Sequence, residues 1–109
     1  MKTNELTGAA LDWAVAKCEG VTVLPKMRGG CYVALDRGET VLLRYSTDWS
    51  QAGPIIERER ITLRNYKPAL WDASIGRLDY VGDGKTPLIA AMRCYVASKL
   101  GEEVEIPDA

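Results

Sequence analysis

Thr86-Pro87-Leu88-Ile89-Ala90-Ala91-Met92-Arg93-Cys94-Tyr95-Val96-Ala97-Ser98-Lys99-Leu100-Gly101 is the stretch on which the fold turns. Threonine at the N-cap, proline at the first helical position and glycine after the last are the start and stop signals of one helix. Between them Leu88, Ala91, Met92, Tyr95 and Val96 recur at helical spacing, while Ile89, Ala90, Cys94 and Ala97 make the remaining faces apolar as well. A helix apolar on most sides has to be covered on most sides. Either a sheet takes one flank and another helix the other, or one face is given to a second copy. The first arrangement is the one expected here.

Working outward, the rest of the chain supplies the cover. Thr7 can cap a helix running to about Cys18, with Leu6 and Leu11 placed as a hydrophobic staple and Gly20 as its stop. Leu11, Ala14, Val15 and Cys18 form its stripe, and Trp13 and Lys17 fall on another face. Val21–Leu24 reads as a short strand ended by Pro25, with Lys26-Met27-Arg28-Gly29-Gly30 as a loop. Cys31–Tyr45 reads as a hairpin turned at Asp36–Glu39. Ser46 or Thr47 can cap a short helix, which Pro54 divides into two pieces joined at Gly53-Pro54.

Ile61–Arg64 and Ala69–Ala73 can pair across a turn at Asn65–Pro68. Gly76–Lys85, rich in glycine and charge, reads as a mobile loop, and Glu102–Ala109 as an acidic surface tail. The sum is a single α+β domain over residues 1–109. Its expected make-up is an antiparallel sheet of about four to five short strands, packed with N-terminal and C-terminal helices and a short central helical segment.

Composition removes several classes of function. At 109 residues and 47% hydrophobic content, the chain can bury a core without metals or cross-links. Its most apolar run, Leu88–Val96, is roughly nine residues against the roughly 20 that cross a bilayer, and Met1–Glu5 leads into no apolar h-region with a cleavage site, so a secretory signal is not expected. A net charge of −1 gives no basic excess for general nucleic-acid binding. The absence of histidine removes His-based triads and the commonest zinc ligand. Cys18, Cys31 and Cys94, an odd set at wide spacing, read as small buried hydrophobes and not as a disulfide framework. No cofactor is implied.

Three stretches together resemble the NinX-like proteins of tailed phages: Leu6–Ala16, with Thr-Gly-Ala-Ala-Leu-Asp-Trp-Ala; Ser46–Glu57, with Trp-Ser-Gln-Ala-Gly-Pro-Ile-Ile; and Thr86–Met92, with Thr-Pro-Leu-Ile-Ala-Ala-Met. Residues 67–85 contribute nothing to the likeness. The resemblance implies a small accessory protein made by a phage or prophage in the cytoplasm of a host bacterium. It brings no activity with it.

The segment Ser46–Pro54 is where a site would be sought. Ser46, Thr47, Asp48, Trp49 and Ser50, followed by Gly53-Pro54, place hydroxyls, a carboxylate and an indole beside a helix start, and Arg44 and Arg58 flank it. Free N–H groups at a helix start favour an anion, an indole stacks on a base, and arginine pairs with phosphate. On that reading the chain captures a small anionic, nucleotide-like ligand without turnover, as a phage sponge against a host immune signal, within a homo-oligomer. The plainer reading is a capped turn with Trp49 as a core plug.

Lys26–Gly30 lacks the Walker arrangement and reads as an ordinary loop, and Glu57-Arg58-Glu59-Arg60 as a solvated face. Asp12, Asp79 and Asp83 are isolated acids. The alternative function is a protein-interaction factor that binds a host or phage replication, recombination or defence protein, with Trp13, Trp49 or Trp71 as anchor. A small hydrolase or nuclease comes third, weakened by the missing histidine.

Overall fold

The structure is a computed structural model and describes residues 1–107. The decisive helix is α3, Pro87–Leu100, and it begins and ends on the expected signals: the Thr86 hydroxyl accepts from the Ile89 N–H at 3.1 Å, and Gly101 follows the last turn. Leu88, Ala90, Ala91, Met92, Cys94, Tyr95 and Val96 are all buried. Their cover is the first of the two arrangements. An antiparallel sheet of β4 (Thr62–Lys67), β5 (Leu70–Ile75) and β6 (Tyr80–Gly84) packs on one flank, and α1 (Gly8–Glu19) and α2 (Trp49–Glu59) on the others.

The α+β class holds, but among the described residues there are six strands, and they form two sheets. β1 (Val23–Arg28), β2 (Cys31–Asp36) and β3 (Glu39–Leu42) make a second antiparallel sheet that shares no strand with the first. The additional strand is β6, in the segment expected to be a loop. Its glycines misled: a Cβ on Gly82 would lie 2.5 Å from the Cys94 nitrogen and 2.6 Å from the Ala90 carbonyl oxygen. Gly82 is glycine because the α3 backbone lies against the strand there, which is what a strand-interior glycine often marks.

Pro25 does not end β1. It sits within an edge strand at a register irregularity between Val23 and Met27, where a missing N–H costs no ladder bond. The expected loop is thus the end of β1 plus a two-residue turn, Gly29-Gly30, with φ of +59° and +79°. The second hairpin turn, Arg37-Gly38, is also left-handed at both residues (φ +51° and +83°), the geometry that follows the twist of paired strands. Pairing of β4 with β5 is as expected, with the turn tightened to Pro68-Ala69.

α2 is one continuous helix and not two pieces. Pro54 leaves the Ser50 carbonyl without its helical donor, a loss of up to about 3 kcal/mol. Three features offset it. Gly53 has no Cβ to meet the proline ring; Ala52 and Ile55 are buried, the isoleucine contributing about 1.5–3 kcal/mol; and the N-terminus is capped. The cap is Asp48, not Ser46 or Thr47, because a turn closed by the Thr47 and Asp48 N–H groups on the Arg44 carbonyl (3.0 and 2.8 Å) takes up the residues before it.

Two cores result. The larger surrounds α3, and the smaller, made of Ala16, Tyr32, Ala34 and Leu43, lies between α1 and the first sheet. Trp13, off the α1 stripe, packs against both, as does Tyr45. Cys94 is buried, Cys18 and Cys31 are half-buried, and all three are free thiols. The C-terminal segment is tied down: Lys2 bridges Glu103, the Val104 N–H donates to the Met1 carbonyl at 2.9 Å, and Val104 is buried.

Candidate functional site

Ser46–Pro54 runs from the end of the first sheet into α2, and most of its polar groups close on the protein itself. The Ser46 N–H donates to Asp12 Oδ1 at 2.7 Å, a buried bond from the helix-start segment to the middle of α1. The Ser46 hydroxyl lies beside the same carboxylate but closes no well-formed hydrogen bond. Asp48 Oδ1 accepts from the Ser50 N–H at 2.8 Å and from its hydroxyl at 2.7 Å. Gln51 spans the gap to β3, accepting from the Arg44 N–H and donating to the Leu42 carbonyl, both at 2.8 Å. Thr47, Ser50 and Pro54 are exposed, and Gly53 is half-buried.

Trp49 is no core plug: it stands at the first position of α2 with 52% of its surface exposed. Arg58 lies nine residues further along the same helix, about 13 Å at 1.5 Å per residue, so the structure does not bring it to Trp49. Its guanidinium donates to both Glu19 oxygens (2.6 and 3.2 Å), to Glu59 at 2.8 Å and to the Tyr95 hydroxyl at 3.1 Å. Glu57-Arg58-Glu59-Arg60 is therefore more than a solvated face, since Arg58 clasps the ends of α1 and α2 to Tyr95 of α3. The side chain of Arg44 stays exposed.

The electrostatics follow from these contacts. Burial raises the Asp12 carboxyl above its usual range, only partly opposed by the Ser46 N–H bond and the nearby Ser46 hydroxyl. Burial also acts upward on Glu19, but the Arg58 and Tyr95 hydrogen bonds and the Arg58 and Lys99 charges together outweigh it and hold Glu19 below its ordinary 4.5. Hydrogen bonds from Ser50 depress Asp48. Burial pushes the Cys18 and Cys94 thiols up to about 11, so neither is a ready thiolate at neutral pH.

Because the folded state lowers the Glu19 pKa, the stability it contributes is complete above about pH 4.5 and is lost as pH falls through the folded value. Arg58 is half-exposed, so the effect is under about 1 kcal/mol. Urea denaturation at pH 7 and pH 3.5 is expected to show wild type losing more stability on acidification than Glu19→Gln. Equal losses would show that the clasp contributes nothing.

Between α2 and the face of β2 and β3 lies an open groove of about 510 Å³, lined by Tyr45, Pro54, Ile55, Leu35, Asp36 and Glu19 among others. Both its charged lining residues are acidic. The residue sequence reasoning missed is Asp12. Aspartate in a helix interior, next to a buried stripe, is out of place on propensity and signals a specific hydrogen-bond duty.

Fold and site define a small two-sheet α+β domain with a self-satisfied turn and an exposed tryptophan at a helix start. The chain belongs to the family described as bacteriophage P22 NinX, which it matches over residues 2–99. The match spans residues 67–85, which the motif resemblance did not reach, and takes in all six strands. No curated protein matches the chain. No helix among the described residues is long and apolar enough to cross a membrane.

Proposed function

We propose that this phage protein is an interaction factor that docks a host or phage protein through a surface centred on Trp49. The observation that carries this reading is the exposure of Trp49 beside a turn whose polar groups are already engaged with one another. Tryptophan is the residue most enriched among binding hot spots, and leaving one in water is costly unless something covers it. The groove along α2 is lined by Gln51, Pro54 and Ile55 and not by Trp49, and its charged residues, Glu19 and Asp36, are both acidic. Capture of an anionic nucleotide-like ligand, the other reading, calls for cations in the groove, and Arg58 is spent on Glu19 and Glu59.

The test is affinity purification of the tagged protein from phage-infected bacteria, wild type against Trp49→Ala, with heat-released small molecules analysed by mass spectrometry. One protein is expected to co-purify stoichiometrically and to be lost at least about 30-fold in the variant, the scale of a hot-spot residue. Thermal stability should be unchanged. A clean protein fraction together with a nucleotide-like species lost in Trp49→Ala would overturn this reading and restore ligand capture.

A further inference from the structure

A second surface lies away from Trp49. Register places Arg64, Asp72 and Asp83 opposite one another on one face of the β4–β5–β6 sheet, and Val81 beside Ser74 on that same face. α3 occupies the other face, against Gly82 and Gly84. Tyr66, Leu70, Leu78 and Val81, all large and apolar, are 41–61% exposed and line one groove of about 870 Å³. The groove continues past the β6 edge to Lys2 and Glu102 and to Arg93 of α3. Four such side chains around one concavity are more than a scatter of surface apolar residues.

We propose that this face pairs with the same face of a second copy of the chain in a two-fold dimer. The charges choose the occupant. Lys2, Arg64 and Arg93 are matched by Asp72, Asp83 and Glu102, so the groove carries both signs in equal number around its apolar side chains. A two-fold axis can set the cations of one copy against the acids of the other, whereas an acidic or basic partner would call for one sign in excess. The net charge of −1 sets up little repulsion between copies.

The face is also preorganised. The Tyr66 hydroxyl donates to Asp72 Oδ2 at 3.1 Å and Arg64 Nε to Asp72 Oδ1 at 3.2 Å, so two of its longer side chains are held before any partner arrives. Pairing is face to face and not edge to edge. The β4 edge carries Arg64 and Lys67 with no acid between them, which discourages strand addition there. A standard interface of about 800 Å² per partner is a modest share of the chain's 6707 Å² surface.

The experiment is sedimentation velocity from about 5 to 200 µM, a range that brackets micromolar dissociation. Wild type is expected to sediment as a dimer at the upper end. Leu70→Glu combined with Val81→Glu should leave a monomer there, with circular dichroism unchanged because both positions are exposed. Lys2→Glu alone should weaken association several-fold, and adding Glu102→Lys should restore part of it. A wild-type monomer at about 200 µM, or a dimer indifferent to the Leu70 and Val81 changes, would overturn the proposal. Both outcomes are independent of what Trp49 binds.

Discussion

Gly82→Ala is expected to destabilise the protein by about 3 kcal/mol or more and to lower Tm by more than about 10 °C. The added methyl would meet the Cys94 nitrogen and the Ala90 carbonyl oxygen at 2.5 and 2.6 Å. Both are helix backbone atoms inside the most buried element, so no side chain can rotate away, and β6 must lift from α3 or part from β5. Gly84→Ala supplies a graded comparison. Its nearest neighbour is the Ile89 Cγ2 at 2.6 Å, a branch methyl that only a χ1 change can move. The Ile89 Cβ at 3.0 Å and the Ala90 nitrogen at 3.1 Å leave little room, but the closest atom belongs to a side chain and not to backbone. It should cost less than Gly82→Ala. Thermal denaturation followed by circular dichroism gives both values. A Gly82→Ala protein within about 1 kcal/mol of wild type would mean that β6 does not lie against α3 as described.

Asp12→Ala is expected to cost about 1–3 kcal/mol, because it leaves the Ser46 N–H buried without an acceptor. Asp12→Asn keeps an acceptor oxygen and sheds a charge that burial disfavours, so it should stay within about 1 kcal/mol of wild type. A pH signature separates them further. The folded state raises the Asp12 pKa, so its contribution is most favourable at low pH and declines as pH rises from the ordinary 3.8 through the folded value. That slope is opposite in sign to the one from Glu19 and should vanish in Asp12→Asn. Chemical denaturation between pH 3 and 8 reads it, and an Asp12→Ala protein as stable as Asp12→Asn would show that the Ser46 bond carries no weight.

What could be read from residues alone depended on how local the deciding physics was. The ends of α3 are set by Thr86, Pro87 and Gly101 acting within one turn, and they fall where the sequence places them. The Arg37-Gly38 turn is similarly local. β6 was illegible because its glycines are explained by α3, a neighbour whose closest backbone atoms are 6 to 12 residues away in the chain. Pro54 was misjudged for a related reason. Its local cost is real, but the burial of Ala52 and Ile55 that offsets it is tertiary. Of the candidate site, the helix start and its turn were legible. The use of Gln51, Asp12 and Arg58 to satisfy partners in β3, near Ser46 and at Glu19 was not, because each partner lies in a different element.

The two sheets share no strand, and among the described residues no backbone hydrogen bond joins them. Whatever cooperativity exists between them therefore passes through side chains and the α1 scaffold, with Trp13 and Tyr45 as the groups that touch both cores. Among the described residues the smaller core has four buried members and the larger sixteen, so the halves are unequal in resistance to local opening. The Trp49 surface sits at the junction between them, its helix rooted in the larger core and its turn fastened to β3. A partner bound there would grip both halves, and its binding free energy would act as the mortar between them.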